Sequence, residues 1–184
     1  MSDEVGVIPL ASSDPRGRGR PLVCVHGFGH DRSVWAKLAE GLDPGLRPIA
    51  VDLRGHGRSD WSPRGDYDVR AFAADLPATL DGLDLPRVSV IAHSLGGQAA
   101  ILFAAAHPER VESLVLVDTG PALALDAMLE IGRSFGRGPG SFESVDAYHR
   151  QLLRLHPLAD PGTIAGLARS MLVRRLDGRY EPRL

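Results

Sequence analysis

The run VSVIAHSLGGQAAILFA, Val88 to Ala104, constrains the fold of this chain more than any other stretch. Its first half is rich in β-branched residues and its second half in alanine, and Ser94 stands at the join. A strand that passes straight into a helix brings two backbones nearly into contact, so the residues two before and two after the turn must be small. Ala92 and Gly96 meet that demand, and Gly97 adds clearance. Small-x-Ser-x-small is the pattern of a nucleophile elbow, a tight strand-to-helix turn that lifts a serine hydroxyl above the end of a sheet.

The rest of the first 120 residues reads as strands alternating with helices. PLVCV (Pro21 to Val25) is a buried strand ending at His26 and Gly27. Asp31 or Ser33 then caps a short helix in which Trp35, Leu38 and Leu42 recur at helical spacing. LRPIAVDL (Leu46 to Leu53) is the next strand, closed by the loop RGHGRSD. Asp68 opens a helix with Val69, Phe72, Leu76 and Leu80 on one face, and Pro77 should kink it. The strand RVSVIAHS, a helix from Leu95 to about Ala106 and the strand SLVLVD (Ser113 to Asp118) follow. Repeated strand–helix units with continuously apolar strands predict an α/β fold, a mostly parallel sheet with helices on both faces.

After Gly120 the pattern becomes helical, with no strand expected. Stretches of roughly Ala122 to Phe135, Val145 to Leu155 and Gly162 to Leu176 carry helical periodicity. GRGPGS (Gly136 to Ser141) links the first two, Ser144 caps the second, and Asp160-Pro161 opens the third. The expected division is a core over residues 1–120 and a partial helical cap over 121–184.

Composition excludes several classes. A net charge of −2 over 184 residues argues against a chain built to bind nucleic acid, and RGRGR (Arg16 to Arg20) reads as a solvated loop. Between Arg87 and Glu109 no residue is charged, but His93, Ser94, Gly96, Gly97 and Gln98 within it mark a buried strand and helix, not a membrane span. Cys24, the one cysteine, can form no internal disulfide, and the acidic N-terminus is unlike a signal peptide. The expectation is a cytoplasmic protein. No ligand-spaced cluster implies a metal, and no Gly-x-Gly-x-x-Gly follows a strand, so no cofactor is expected.

Four blocks, in order, carry a family likeness: VHGFG (Val25 to Gly29), DLRGHGRSD (Asp52 to Asp60), AHSLGG (Ala92 to Gly97) and AHPERVESLVLVD (Ala106 to Asp118). Over roughly residues 20 to 120 the chain resembles the α/β-hydrolase superfamily, in its branch of esterases, carbon–carbon bond hydrolases and cofactor-free haloperoxidases. The resemblance implies that Ser94 attacks a carbonyl of a small ester, thioester or related acyl substrate to give an acyl-enzyme. It implies backbone oxyanion donors at Phe28, just after the His-Gly pair, and at Leu95, the start of the helix. A serine rather than a carboxylate at this position sets aside epoxide hydrolysis and haloalkane dehalogenation.

The same resemblance implies a histidine after the last strand and an acid after the strand before it, and neither strand is found within the 184 residues. Asp118 occupies a place where some relatives carry an alternative acid. His26 should order the oxyanion loop, and His93 should point away from the serine. His149 and His156 fall in or after a cap helix. The expectation is a truncated hydrolase, the alternative an inactive α/β-hydrolase-like binding protein. With SLVLV as the last strand, an apolar edge is left open, which implies self-association through residues 113–118.

Overall fold

The computed structural model of the chain describes residues 6–14, 17–120 and 140–182. Its contacts divide the chain into two units, Met1–Pro121 and Ala122–Leu184.

In the first unit, β1 (Ser12–Ser13), β2 (Arg20–Val25), β3 (Leu46–Val51), β4 (Val88–His93) and β5 (Val111–Val117) form one sheet in the order β1-β3-β2-β4-β5. β1 is antiparallel to β3, and every other pairing is parallel. Alternation along the strands feeds two cores. Val23, Val25, Ile49, Val51, Val88, Val90 and Ala92 enter one, while Leu22, Cys24 and Ala50 enter the other with Ile91 against it. A sheet apolar on both faces requires helices on both. α1 (Ala36–Glu40), preceded by a 3₁₀ turn capped by the Asp31 carboxylate, covers the second core with Trp35 and Leu38. α2 (Val69–Gly82) and α3 (Leu95–Ala106) cover the first with Phe72, Leu76, Leu80, Ala99, Ala100 and Phe103. The Asp68 carboxylate caps α2 by accepting from Ala71 N–H at 2.8 Å, and the helix continues through Pro77.

β3 ends two residues earlier than its apolar run. Asp52 N–H donates to the Ala11 carbonyl instead of continuing the parallel ladder. β1 and the residues before it form a strap that the sequence pattern does not reveal. Ile8 N–H donates to Asp75 Oδ1, Leu10 N–H to Thr79 Oγ1 and Ala11 N–H to Ser59 Oγ. Side chains thereby satisfy the backbone donors of a segment with only two residues in the sheet.

The second unit contains α4 (Val145–Leu155) and α5 (Pro161–Ser170), capped by the Ser144 hydroxyl and the Asp160 carboxylate as their sequences predict. The expected helix over Ala122 to Phe135, with most of its linker, lies outside the described residues. The expected third helix, Gly162 to Leu176, is corrected. It ends at Ser170, and the chain turns into a hairpin of β6 (Leu172–Arg174) and β7 (Tyr180–Pro182). Asp177-Gly178, with φ of 84° at Gly178, forms the hairpin turn. Leu172, which continues the apolar face of α5 in sequence, is buried from a strand among Phe142, Tyr148, Leu152, Ile164 and Ala168.

Candidate active site

Ser94 has φ 50° and ψ −118°, a backbone conformation that L-residues with a Cβ rarely adopt. It joins β4 directly to α3, its N–H donates to the Val117 carbonyl at 3.2 Å, and its own carbonyl accepts from Gln98 N–H. Strain of this kind persists only where the surroundings over-determine it. The surroundings are visible in the glycines. A Cβ on Gly96 would run into the carbonyl of His26 and the side chain of Val25, so α3 lies against the end of β2 with no room for alanine. A Cβ on Gly97 would strike Thr119, whose hydroxyl donates to the Val117 carbonyl. Gln98 Nε2 reaches on to the Gly120 carbonyl. The requirement for small residues is therefore set by the neighbouring strand β2 and the exit from β5 as well as by β4.

The turn after β2 meets the elbow. His30 N–H donates to the Gly27 carbonyl at 3.3 Å, and Gly29 has φ 71°. A Cβ on Gly27 would lie 3.1 Å from Ser94 Cβ and 2.6 Å from His93 Nδ1, so glycine alone lets the turn approach the serine. The His93 ring does not leave this region as expected. It abuts Gly27 on the same side as Ser94 and stacks on His30 at 5.7 Å. The elbow bends the chain before strand alternation can carry the ring away.

Two further histidines brace the turn from beneath. His26 is fully buried, and its Nε2 accepts from Leu53 N–H at 3.0 Å, which makes its Nδ1 the donor to the Gly27 carbonyl at 2.7 Å. Burial lowers its pKa to about 3, against a smaller upward pull from the Gly27 bond. A ring so neutral, with both nitrogens engaged, is a brace and not a base. His56 repeats the arrangement: Nε2 accepts from Gly29 N–H at 3.2 Å, and Nδ1 donates to the Arg54 carbonyl at 2.9 Å. Burial lowers its pKa as well. The two rings lie 5.2 Å apart, and Phe28 stands edge-on to His56.

The loop after β3 is anchored by buried charge. Asp52 accepts from the backbone and guanidinium of Arg32 and from Arg58 N–H. Arg54, with no exposed surface, forms a two-point ion pair with Asp75 at 2.7 and 2.6 Å. Two further N–H groups reach the carbonyls of Asp66 and Gly6. Sequence reasoning assigned no role to Arg54, Asp52 or Asp75. Asp75 carried a signal, since it lies three residues after Phe72 on the apolar face of α2, where an unpaired carboxylate would be untenable.

Of the residues singled out by sequence, Ser94 stands at the elbow, Phe28 in the abutting turn and Leu95 at the first position of α3. Asp118 follows β5, exposed, with φ 48°. Its charge acts on His93, opposing the lowering of that ring's pKa by burial. His149 lies on α4 and His156 just beyond it, both in the second unit. A cavity of about 340 Å³ between α2 and α3, lined by Asp68, Arg70, Gln98 and Leu102, does not include Ser94. Among the described residues no group of three His, Cys, Asp or Glu side chains could hold a metal, and no helix is long and apolar enough to cross a membrane.

A strained serine between parallel strand and helix, facing a glycine turn from the neighbouring strand, defines a class of fold. A family model for the alpha/beta hydrolase fold matches residues 20–151, and the chain belongs to that family. It is 34% identical to lipase LipV of Mycobacterium tuberculosis over 168 residues, covering 90% of this chain and 62% of the relative. It is 29% identical to 2-(acetamidomethylene)succinate hydrolase of Mesorhizobium japonicum, covering 84% of this chain and 55% of the relative. The crystal structure of an E-2-(acetamidomethylene)succinate hydrolase superposes with a TM-score of 0.86 at 28% identity, covering 97% of this chain and 66% of that one. A Mycobacterium tuberculosis esterase superposes with a TM-score of 0.79 at 29% identity, covering 97% and 63%. The chain spans 30–62% of the length of the curated relatives it matches.

Proposed function

We propose that this chain carries the nucleophile half of a serine hydrolase acting on small esters, thioesters or related acyl compounds. The carrying observation is the φ of 50° at Ser94, held in place by Gly96 against β2. A non-glycine residue kept in that conformation at a sheet's carboxyl end is costly, and such strain clusters at functional sites. In this reading Ser94 Oγ attacks the carbonyl carbon, the carbonyl oxygen takes the negative charge, and the backbone N–H groups of Phe28 and Leu95 receive it. As the carbonyl carbon's bond to the leaving oxygen or sulfur breaks, the proton from Ser94 Oγ ends on the departing alcohol or thiol, and water then cleaves the acyl ester to give the acid and restore the Ser94 hydroxyl. A serine hydroxyl needs a base to react at useful rates, and neither His26 nor His56 is free to serve.

The relatives named lipase, esterase and 2-(acetamidomethylene)succinate hydrolase support acyl chemistry as the class. The test is labelling of the folded chain with a fluorophosphonate beside Ser94→Ala. Labelling lost in the variant is the expected result. A folded chain that does not label would sink the reading for these 184 residues and favour the inactive binding protein.

A further inference from the structure

We infer that His56 is a positioning residue for the turn that faces Ser94. While neutral, it holds the Phe28–Gly29 peptide in one of two orientations; a proton on its Nε2 turns that peptide over. His30 N–H donates to the Gly27 carbonyl, closing a four-residue turn with Phe28 and Gly29 at its centre. Gly29 has φ 71°, and Phe28 is not among the described non-glycine residues with positive φ, so the turn is type II. A type I turn joins the same two ends with the middle peptide reversed, and glycine enters either form without steric cost.

His56 makes the choice. Gly29 N–H donates to Nε2 at 3.2 Å, and Nδ1 donates to the Arg54 carbonyl at 2.9 Å, so Nε2 carries a lone pair and no hydrogen. In the type I form the trans peptide would present the Phe28 carbonyl to the same nitrogen, setting two acceptors face to face. Protonation inverts the preference. Nδ1–H keeps its bond to Arg54, Nε2–H meets Gly29 N–H donor to donor, and the reversed peptide supplies the acceptor. The preceding peptide is fixed separately. Its Gly27 carbonyl accepts from His26 Nδ1 at 2.7 Å, which leaves Phe28 N–H on the opposite side of that peptide. His26 thus orients one peptide flanking Phe28, and His56 orients the other.

The groups around His56 leave it able to take that proton. The His26 ring, 5.2 Å away, has its pKa lowered to about 3 and stays neutral above it. Burial lowers the His56 pKa, while the Arg54 carbonyl and the charges of Asp52, after β3, and Asp31, on the turn side, favour the charged ring. α2 faces it with the Phe72 ring, and the Arg54 guanidinium is directed at Asp75. The catch is independent of the chemistry of Ser94. Its consequence for catalysis rests on the hydrolase reading, in which Phe28 N–H receives the oxyanion.

Amide hydrogen exchange by NMR on the folded 184-residue chain, between roughly pH 4 and 8 and corrected for intrinsic exchange, tests the catch. Protection of Gly29 N–H is expected to fall about tenfold for each pH unit below the His56 pKa, while that of Val23 in the central strand β2 holds. In His56→Gln a carbonyl oxygen replaces Nε2 and takes no proton, so Gly29 protection should stay level with pH. In His56→Phe the ring contacts remain and the acceptor is gone, so protection should be low throughout. Fluorophosphonate labelling of that variant at neutral pH should slow about tenfold or more, towards the roughly 10²–10³-fold cost of a lost oxyanion donor, and His56→Gln should recover most of it. Should the Phe variant not fold, the wild-type pH series and the Gln variant still decide. Level Gly29 protection in the wild type, a fall shared by Val23, or a Gln variant as unprotected as the Phe variant overturns the inference. So does full-speed labelling of His56→Phe. A wild type that never labels while Gly29 protection follows the expected pattern sinks the reading of Ser94 and supports the catch.

Discussion

At the carboxyl ends of β2 and β3 buried polar groups are matched to one another, whereas along β5, two strands from β2, apolar side chains stand in solvent. His26, Asp52, Arg54, His56 and Asp75 are each under 5% exposed, and each has a hydrogen-bond partner within reach. Val115, Leu116 and Val117 belong to the same sheet and pack against nothing comparable. The turn facing Ser94 is thus braced by buried polar groups between His26 and Asp75. Buried polar pairing at one end of the sheet and exposed apolar surface along β5 are separate features of this chain.

If that separation holds, damage to the β2–β3 end should be severe and damage to β5 slight. The largest effect is expected from Arg54→Ala. Asp75 would be left charged and buried beside Ile8 N–H, and breaking one partner of a buried pair costs about 3–5 kcal/mol. Urea unfolding of the variant should show the loss directly. A change below about 1 kcal/mol would mean that water reaches Asp75, and the contrast between the two regions would collapse.

Gly96→Ala comes next. The atom it would strike is the backbone carbonyl of His26, which cannot swing aside, so α3 must back away from β2. Overpacking of this kind costs about 1–3 kcal/mol. Because the shift occurs one turn from Ser94, fluorophosphonate labelling should fall more steeply than stability. Equal losses in both would show that the elbow has no special sensitivity to the β2–α3 approach.

A third test uses acid. His26, His56 and His93 have pKa values lowered in the fold, chiefly by burial, from the ordinary 6.5. Below pH 6.5 the unfolded chain therefore binds more protons than the folded one, and stability must fall as pH falls. Each histidine still neutral in the fold contributes a slope of about 1.4 kcal/mol per pH unit. For His26 the slope persists down to about pH 3. His26→Asn keeps polar atoms for Leu53 N–H and the Gly27 carbonyl, and should flatten the acid limb by about one proton. An unchanged limb would show that His26 is not the buried titrating group.

These expectations rest on residues of unequal legibility. The elbow was readable because its constraint is local: small residues two positions either side of a serine, between a β-branched run and an alanine-rich one. The parallel sheet was readable because Val23, Cys24 and Ile49 are apolar without alternation. The Arg54–Asp75 pair was not, since its partners are 21 residues apart and each alone reads as a solvated charge. The β6–β7 hairpin was missed because Leu172 continues the period of α5, and only the turn at Asp177-Gly178 signals the reversal. The His93 ring was misplaced because alternation was extended one residue into a turn that breaks it.

The smallest effect should come from β5 itself. Val115 is half-exposed, and its backbone groups face β4, so Val115→Thr removes no ladder bond and opens no cavity. Its stability to urea should change by less than about 0.5 kcal/mol, as for surface substitutions generally. A large loss would mean that β5 already packs against other residues, and that the sheet has no exposed side to contrast with its histidine-braced end.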